Sequence, residues 1–275
     1  VRFNTKYRHT IFTNGKIILS VLFLLNTFFA QAKIPELNTI IKEKAFAVHI
    51  NYSDEVLILQ KGIIKKFNTK GDLLASYGNI YINKQSKIIS QNTFRTILFC
   101  EDFGKIIVLD KRFGLIEMID TYNIENYLIS TIGISYDNEN LWIWDEIKQA
   151  LIKINQKGKT IYTTSNINIY TATTLSPYSI TEISTKLYVN DTSKGIFIFD
   201  NTGTFKKQIP LKNISSFFIK DEILFYIENN EIHTYNLMSF ENIKYIDIPT
   251  LENLKIGQNI ICGTNQEGFV EIWNF

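Results

Sequence analysis

The chain has 275 residues, 29 Lys plus Arg against 27 Asp plus Glu, and a formal net charge of +2. Arg2, Lys6, Arg8 and Lys16 lie in the first 32 residues, which hold no acid, so taking these four from 29 leaves 25 basic against 27 acidic, a net charge of −2. A domain of that charge has no global electrostatic reason to hold nucleic acid. Two cysteines, in no CxxC or Cys/His spacing, exclude a zinc module and a disulfide scaffold.

Residues 1–32 read as a secretory signal peptide. They combine the basic start, an apolar run from Ile17 to Phe29 and an Ala30-Gln31-Ala32 site. The run is short for a membrane span, and an uncleaved anchor helix is the alternative. The protein is expected to be exported, to a periplasm or cell surface. The Lys-, Asn- and Ile-rich composition points to an AT-rich bacterial genome. Residues 33–275 are enough for a single domain.

That domain is repetitive. A large apolar residue followed by Asn or Asp recurs as Phe67-Asn68, Leu109-Asp110, Ile154-Asn155, Phe199-Asp200, Tyr235-Asn236 and Trp273-Asn274, at spacings of 42, 45, 45, 36 and 38. Four of these anchors are followed by Gly71, Gly114, Gly158 and Gly203. An Asx side chain opens such a turn and glycine closes it at positive φ. Three residues before each anchor's apolar member stands a branched aliphatic: Ile64, Ile106, Leu151, Ile196, Ile232 and Val270. The clearest unit, NLWIWDEIKQALIKINQKG (140–158), holds two short strands joined by a polar turn.

A period near 40 residues with several short strands per unit predicts a β-propeller of six four-stranded blades, strand a innermost and d outermost, with the anchor closing strand c. The stretch from Pro177 to Asp191, followed by Gly195-Ile-Phe-Ile-Phe-Asp-Asn-Thr-Gly203, resembles NHL repeats, and Gly133 to Asp145 is a second match. The chain thus looks like the six-bladed propellers of the NHL and YWTD-like kind over about residues 37–275. An outer-membrane β-barrel is the rival fold. The strands are too short for it, many are apolar on both sides, and a barrel gives no reason for the repeat.

In chain order, blade 1 is expected over about Ala45–Tyr77, with strands near Phe46–His49, Val56–Gln60, Ile63–Phe67 and Leu73–Ser76. Blade 2 covers about Lys87–Thr121, blade 3 Thr131–Thr164, blade 4 Ser179–Pro210 and blade 5 Ser215–Pro249. Blade 6 starts near Leu251 and ends with the chain, one strand short. The strand-like Asn38–Lys44 is expected to supply its strand d and close the ring, hiding two edges. The linkers Tyr122–Ser130 and Asn166–Ser176 are longer than the others and carry Tyr122, Tyr127 and Tyr170.

No catalytic constellation stands out: there is no HExxH, G-x-S-x-G or P-loop. Cys100 and Cys262 end strands on blades 2 and 6, too far apart for a bridge. His49 falls on an innermost strand, where it would line the central channel. Glu101, Asp102, Asp145, Glu146, Asp191 and Asn229 all fall in b–c loops, which gather on one face of a propeller. Trp142 and Trp144 share one side of their strand, and Trp144 could reach the rim beside Asp145. The face reads either as a binding surface or as turn chemistry. No cofactor is indicated, although oxygen ligands of this kind suit a hard cation such as calcium. The expected function is therefore a non-catalytic interaction or scaffold module with an envelope protein as partner, no nucleic acid, and membrane contact only through that partner. The alternatives are an enzyme similar to metal-dependent lactonase or gluconolactonase propellers and a sugar- or peptide-binding propeller; these rest on the fold alone.

Overall fold

The computed structural model describes residues 34–91, 93–124 and 127–275. The signal-peptide reading falls outside them. The described chain is all-β: six antiparallel four-stranded sheets, five built from consecutive strands and one closed by the two ends of the described chain. This is the six-bladed propeller that the repeat predicts.

Blade 1 comprises Ala47–Ile50, Val56–Gln60, Ile63–Phe67 and Leu73–Gly78, and blade 2 comprises Lys87–Ile89, Arg95–Cys100, Lys105–Asp110 and Leu115–Asp120. Blade 3 comprises Ile129–Ile134, Asn140–Asp145, Ala150–Asn155 and Thr160–Thr163; blade 4 comprises Ser179–Ile183, Lys186–Asp191, Gly195–Asp200 and Phe205–Ile209. Blade 5 comprises Phe217–Lys220, Ile223–Glu228, Glu231–Asn236 and Asn242–Asp247. Blade 6 has Glu252–Ile256, Ile260–Thr264 and Phe269–Asn274 as strands a to c, and its strand d is Glu36–Lys44.

The closing strand runs two residues further toward the N-terminus than Asn38. It pairs antiparallel with Phe269–Asn274, placing Ile41 opposite Val270 and Ile40 opposite Glu271. A second clasp joins the same two blades. The Asp54 carboxylate, in the a–b turn of blade 1, accepts the Gln258 N–H at 2.8 Å and the Asn259 side-chain amide at 2.7 Å, both in the a–b turn of blade 6.

The anchors show why the sequence folds this way. Each of the six ends strand c of its blade. Asn68 Oδ1 accepts the N–H groups of Lys70 and Asp72, and Asp110, Asn155 and Asp200 repeat the same i+2 and i+4 pattern. The six branched aliphatics three residues earlier are all 0% exposed. Blade faces alternate side chains with the two-residue period of a strand. In NLWIWD, Leu141 and Ile143 pack toward blade 2, while Trp142 and Trp144 pack toward blade 4. Six such clusters, one between each adjacent pair of blades, make up the core. Cys100, on blade 2, and Cys262, on blade 6, are free and buried. Burial pushes the Cys262 thiol up to about 12.

Candidate functional site

Antiparallel order puts the b–c loops and the d-to-a linkers on one end of the ring. Backbone hydrogen bonds tie them together there: Thr121 N–H to Gly104 O, Glu146 N–H to Leu128 O, Ile167 N–H to Gln149 O and Ile248 N–H to Asn230 O. We term this end the linker face. The a–b and c–d turns form the opposite turn face.

The acidic and amide residues singled out from the sequence do fall on the linker face, but in different roles. Glu101 and Asp102 begin a 3-10 turn, Glu101–Phe103, in the b–c loop of blade 2. Both are exposed; Glu101 pairs with Lys87 at 3.0 Å, and Asp102 accepts from the Asn83 amide at 2.8 Å. Asp145 is 0% exposed and Asp191 is 2% exposed. Asp145 Oδ1 accepts the N–H groups of Ile147 and Lys148 in its own loop. Asp191 accepts from the N–H and hydroxyl of Ser193, from the Lys194 N–H and from the Ser176 N–H. Burial pushes the Asp191 carboxyl up, but the hydrogen bonds from Ser176 and Ser193 and the Lys194 charge outweigh it and leave the group below the usual carboxylate range.

Glu146 and Asp191 are brought together through Ser176. Its hydroxyl donates to Glu146 at 3.4 Å and its N–H donates to Asp191 at 2.9 Å, which pins the long linker to blades 3 and 4. Asn229 and Asn230 form a two-residue turn with φ of 50° and 60°, a conformation that Asn tolerates. Trp144 is not at the rim: alternation turns it between blades 3 and 4, and it is fully buried. The Trp144, Asp145 and Asp191 side chains therefore present no surface to a partner. Among the described residues, no three His, Cys, Asp or Glu side chains group as a metal site would.

What the linker face does display is apolar. Ile80, Phe103, Tyr122, Leu128, Ile147, Ile169, Tyr170 and Tyr178 are all exposed, and all lie on b–c loops or linkers of blades 1 to 4. Tyr122 is the most regular in its cause. Gly104, at φ 58°, lies so close beneath it that a Cβ would stand 2.5 Å from the Tyr122 ring. The corresponding loops of blades 5 and 6, Asn229-Asn230 and Asn265–Gly268, are polar. Tyr122 and Tyr170 were visible in the sequence as linker aromatics. Ile80, Ile147 and Ile169 were not, because an isolated isoleucine in a polar loop has no period to betray it.

The second feature is the central channel, which encloses a cavity of about 240 Å³ lined by the innermost strands and the residues leading into them. His49 lines it, as its strand position predicts. Its Nε2 lies 2.7 Å from the Ser90 carbonyl, so Nε2 carries the proton and donates. Burial lowers its pKa to about 4, with the Ser90 carbonyl opposing and the nearby Lys255 charge adding to the drop. Lys255 and Tyr178, unmarked in the sequence, meet across the channel, the Lys255 ammonium 5.9 Å from the Tyr178 ring centroid. A lysine inside the innermost strand ENLKI was the available signal, since it marks a charge on a strand flanked by packed blades.

No protein-family model matches the chain, and no curated protein matches it in sequence. Solved structures match in fold. A streptogramin B lyase is 14% identical, with a TM-score of 0.54, and the match covers 88% of this chain and 86% of that one. The Pan2 WD40 domain of Neurospora crassa is 10% identical with a TM-score of 0.56, covering 84% and 89%. The Cps50 (Swd1) propeller domain of Myceliophteria thermophila is 12% identical with a TM-score of 0.55, covering 88% and 99%. At these identities the likeness establishes the propeller architecture.

Proposed function

We propose that this protein is a binding propeller whose linker face docks a protein partner over blades 2 to 4. One observation carries the reading: large apolar side chains, Tyr122, Ile147, Ile169 and Tyr170 among them, are displayed together on the loop end of a rigid ring. Exposed apolar patches of this kind, bordered by polar groups, mark interaction sites. The border here is Glu101, Asp102, Asn83 and Glu146. Aromatic anchors within a polar rim are the usual anatomy of a protein interface. The blades supply the rigidity, so little ordering entropy is lost on docking.

We place the partner in the cell envelope. That placement is supported by the basic start, apolar run and Ala30-Gln31-Ala32 site of residues 1–32. The test is photo-cross-linking with a photoreactive amino acid introduced singly at Tyr122, Ile147, Ile169 or, on the turn face, Phe240. The first three positions should yield one common cross-linked protein in the cells that make this chain, and Phe240 should not. Equal labelling from both faces, or a different product from each position, would remove the docking face.

A further inference from the structure

The channel holds a charge imbalance. Two ammonium groups and one imidazole line its cavity, and among the described residues no Asp or Glu does. Lys87 is satisfied by Glu101 at 3.0 Å and by the Ser130 carbonyl at 2.8 Å. His49 donates its proton to Ser90 and brings no negative charge. Lys255 has the Tyr178 ring face and, among the described residues, no carboxylate within ion-pair reach. It is held there by its neighbour: the Ile256 N–H donates to the Ser216 hydroxyl at 3.2 Å, tying the strand of blade 6 to blade 5. An ammonium set among packed blades attracts an anion more strongly than one in open water, because the local dielectric is lower.

The rest of the lining narrows the class of anion. Ser179, Thr181 and Ser215 line the cavity, and their hydroxyls have no protein partner among the described residues, so they are available as donors. Ala47, Ile88, Ile89 and Phe217, all only half-buried, give apolar wall. One unpaired cation, neutral hydroxyl donors and apolar wall suit a singly charged carboxylate with a hydrocarbon body. A phosphate dianion would call for a second free cation or a nest of backbone N–H groups. The volume, about 240 Å³, lies below the roughly 300 Å³ at which drug-sized ligand sites begin, so the ligand is small.

We propose that the central channel is a binding site for a small organic monocarboxylate, its carboxylate on Lys255 with hydroxyl donors from Thr181 and Ser215, and its apolar body against Ala47, Ile89 and Phe217. The site is independent of the docking face, and either can fail without the other.

The experiment is calorimetric titration of the whole chain with benzoate, isovalerate, benzamide and inorganic phosphate. At least one of the two carboxylates should bind one to one. Benzamide, the neutral isostere of benzoate, should bind at least about tenfold more weakly than benzoate, and phosphate more weakly than the carboxylates. Lys255→Met should weaken the carboxylate at least about tenfold, whereas Lys255→Arg should keep it within a few fold. Thr181→Val removes one donor at nearly constant volume and should weaken it a few fold, which keeps the test open should Lys255→Met fail to fold. The proposal is overturned if neither carboxylate binds, if benzamide equals benzoate, if phosphate is preferred, or if the folded variants bind as the parent does.

Discussion

Replacing Ile41 by alanine should weaken the whole ring, although Ile41 stands in an outermost strand at the start of the described chain. Ile41 is 5% exposed and belongs to the cluster shared by blades 6 and 1, with Val48, Ile58, Phe67, Val270 and Ile272. Removing a buried isoleucine's methyl and methylene groups costs about 2–5 kcal/mol, the lower half where the site can collapse. An outer strand collapses partly, so about 3 kcal/mol is expected here. For a domain of this size that lowers Tm by roughly 6–12 °C. Ile40, the preceding residue, points away and is 41% exposed, so Ile40→Ala should change stability by no more than about 0.5 kcal/mol. The assay is thermal unfolding followed by far-UV circular dichroism and by tryptophan fluorescence together. Trp142 and Trp144 sit between blades 3 and 4, away from the closing strand, whereas Trp273 stands opposite Leu37 of that strand, so the melts are run in a Trp273→Phe background. If closure makes the ring one cooperative unit, both signals fall together at the lower temperature. An unchanged Tm for Ile41→Ala, or an early loss of circular dichroism while the fluorescence transition stays in place, would mean that the strand merely frays and would refute closure.

Three further outcomes follow from named contacts. Asp54→Ala removes the acceptor for Gln258 and Asn259 and should cost about 2 kcal/mol, while Asp54→Asn, which tolerates the φ of 56° and keeps one acceptor oxygen, should cost less in the same melt. Glu182 is 4% exposed and accepts the Trp142 indole N–H at 2.6 Å beside Lys153 at 3.9 Å. Glu182→Ala strands a buried donor and should cost about 2–4 kcal/mol by urea unfolding, with Glu182→Gln closer to the parent. His49 has a folded pKa of about 4 against an ordinary 6.5, so the unfolded chain binds the proton more readily between these values. Stability from this group is complete above pH 6.5 and is lost as pH falls toward 4. The loss is about 1–3 kcal/mol, discounted for channel water, and a pH series of melts should show it flattened in His49→Gln.

Much of the fold was legible because the propeller writes its period locally. In blades 1 to 5 the Asx side chain at the end of strand c bonds its own turn, and in all six the aliphatic three residues earlier must fill the space between blades, so both leave marks in the sequence. The missing outer strand of blade 6 and the spare strand-like segment at the start of the domain point to each other for the same reason: an unpaired edge needs a partner. Strand limits in blade 1 match within one or two residues. The site was less legible. Asp145 and Asp191 close strand b rather than standing in the b–c loop, and a carboxylate at that position has the N–H groups of the following turn as its nearest partners, which turn it inward. The place of Trp144 beside the strand end suggests the rim, yet strand alternation commits it to the same buried side as Trp142. Lys255 and Tyr178 come from different blades, 77 residues apart in the chain, and only ring closure sets one across from the other. No local pattern encodes such a meeting.

The most direct test of the docking face uses the protein cross-linked through Ile147, purified and titrated against this chain and two variants. Ile147→Asp, on the linker face at 74% exposure, should weaken binding at least about tenfold. Ile161→Asp, on an outer strand at 54% exposure, should leave it unchanged. Loss of affinity in both variants alike, or in neither, would contradict a partner seated on the linker loops.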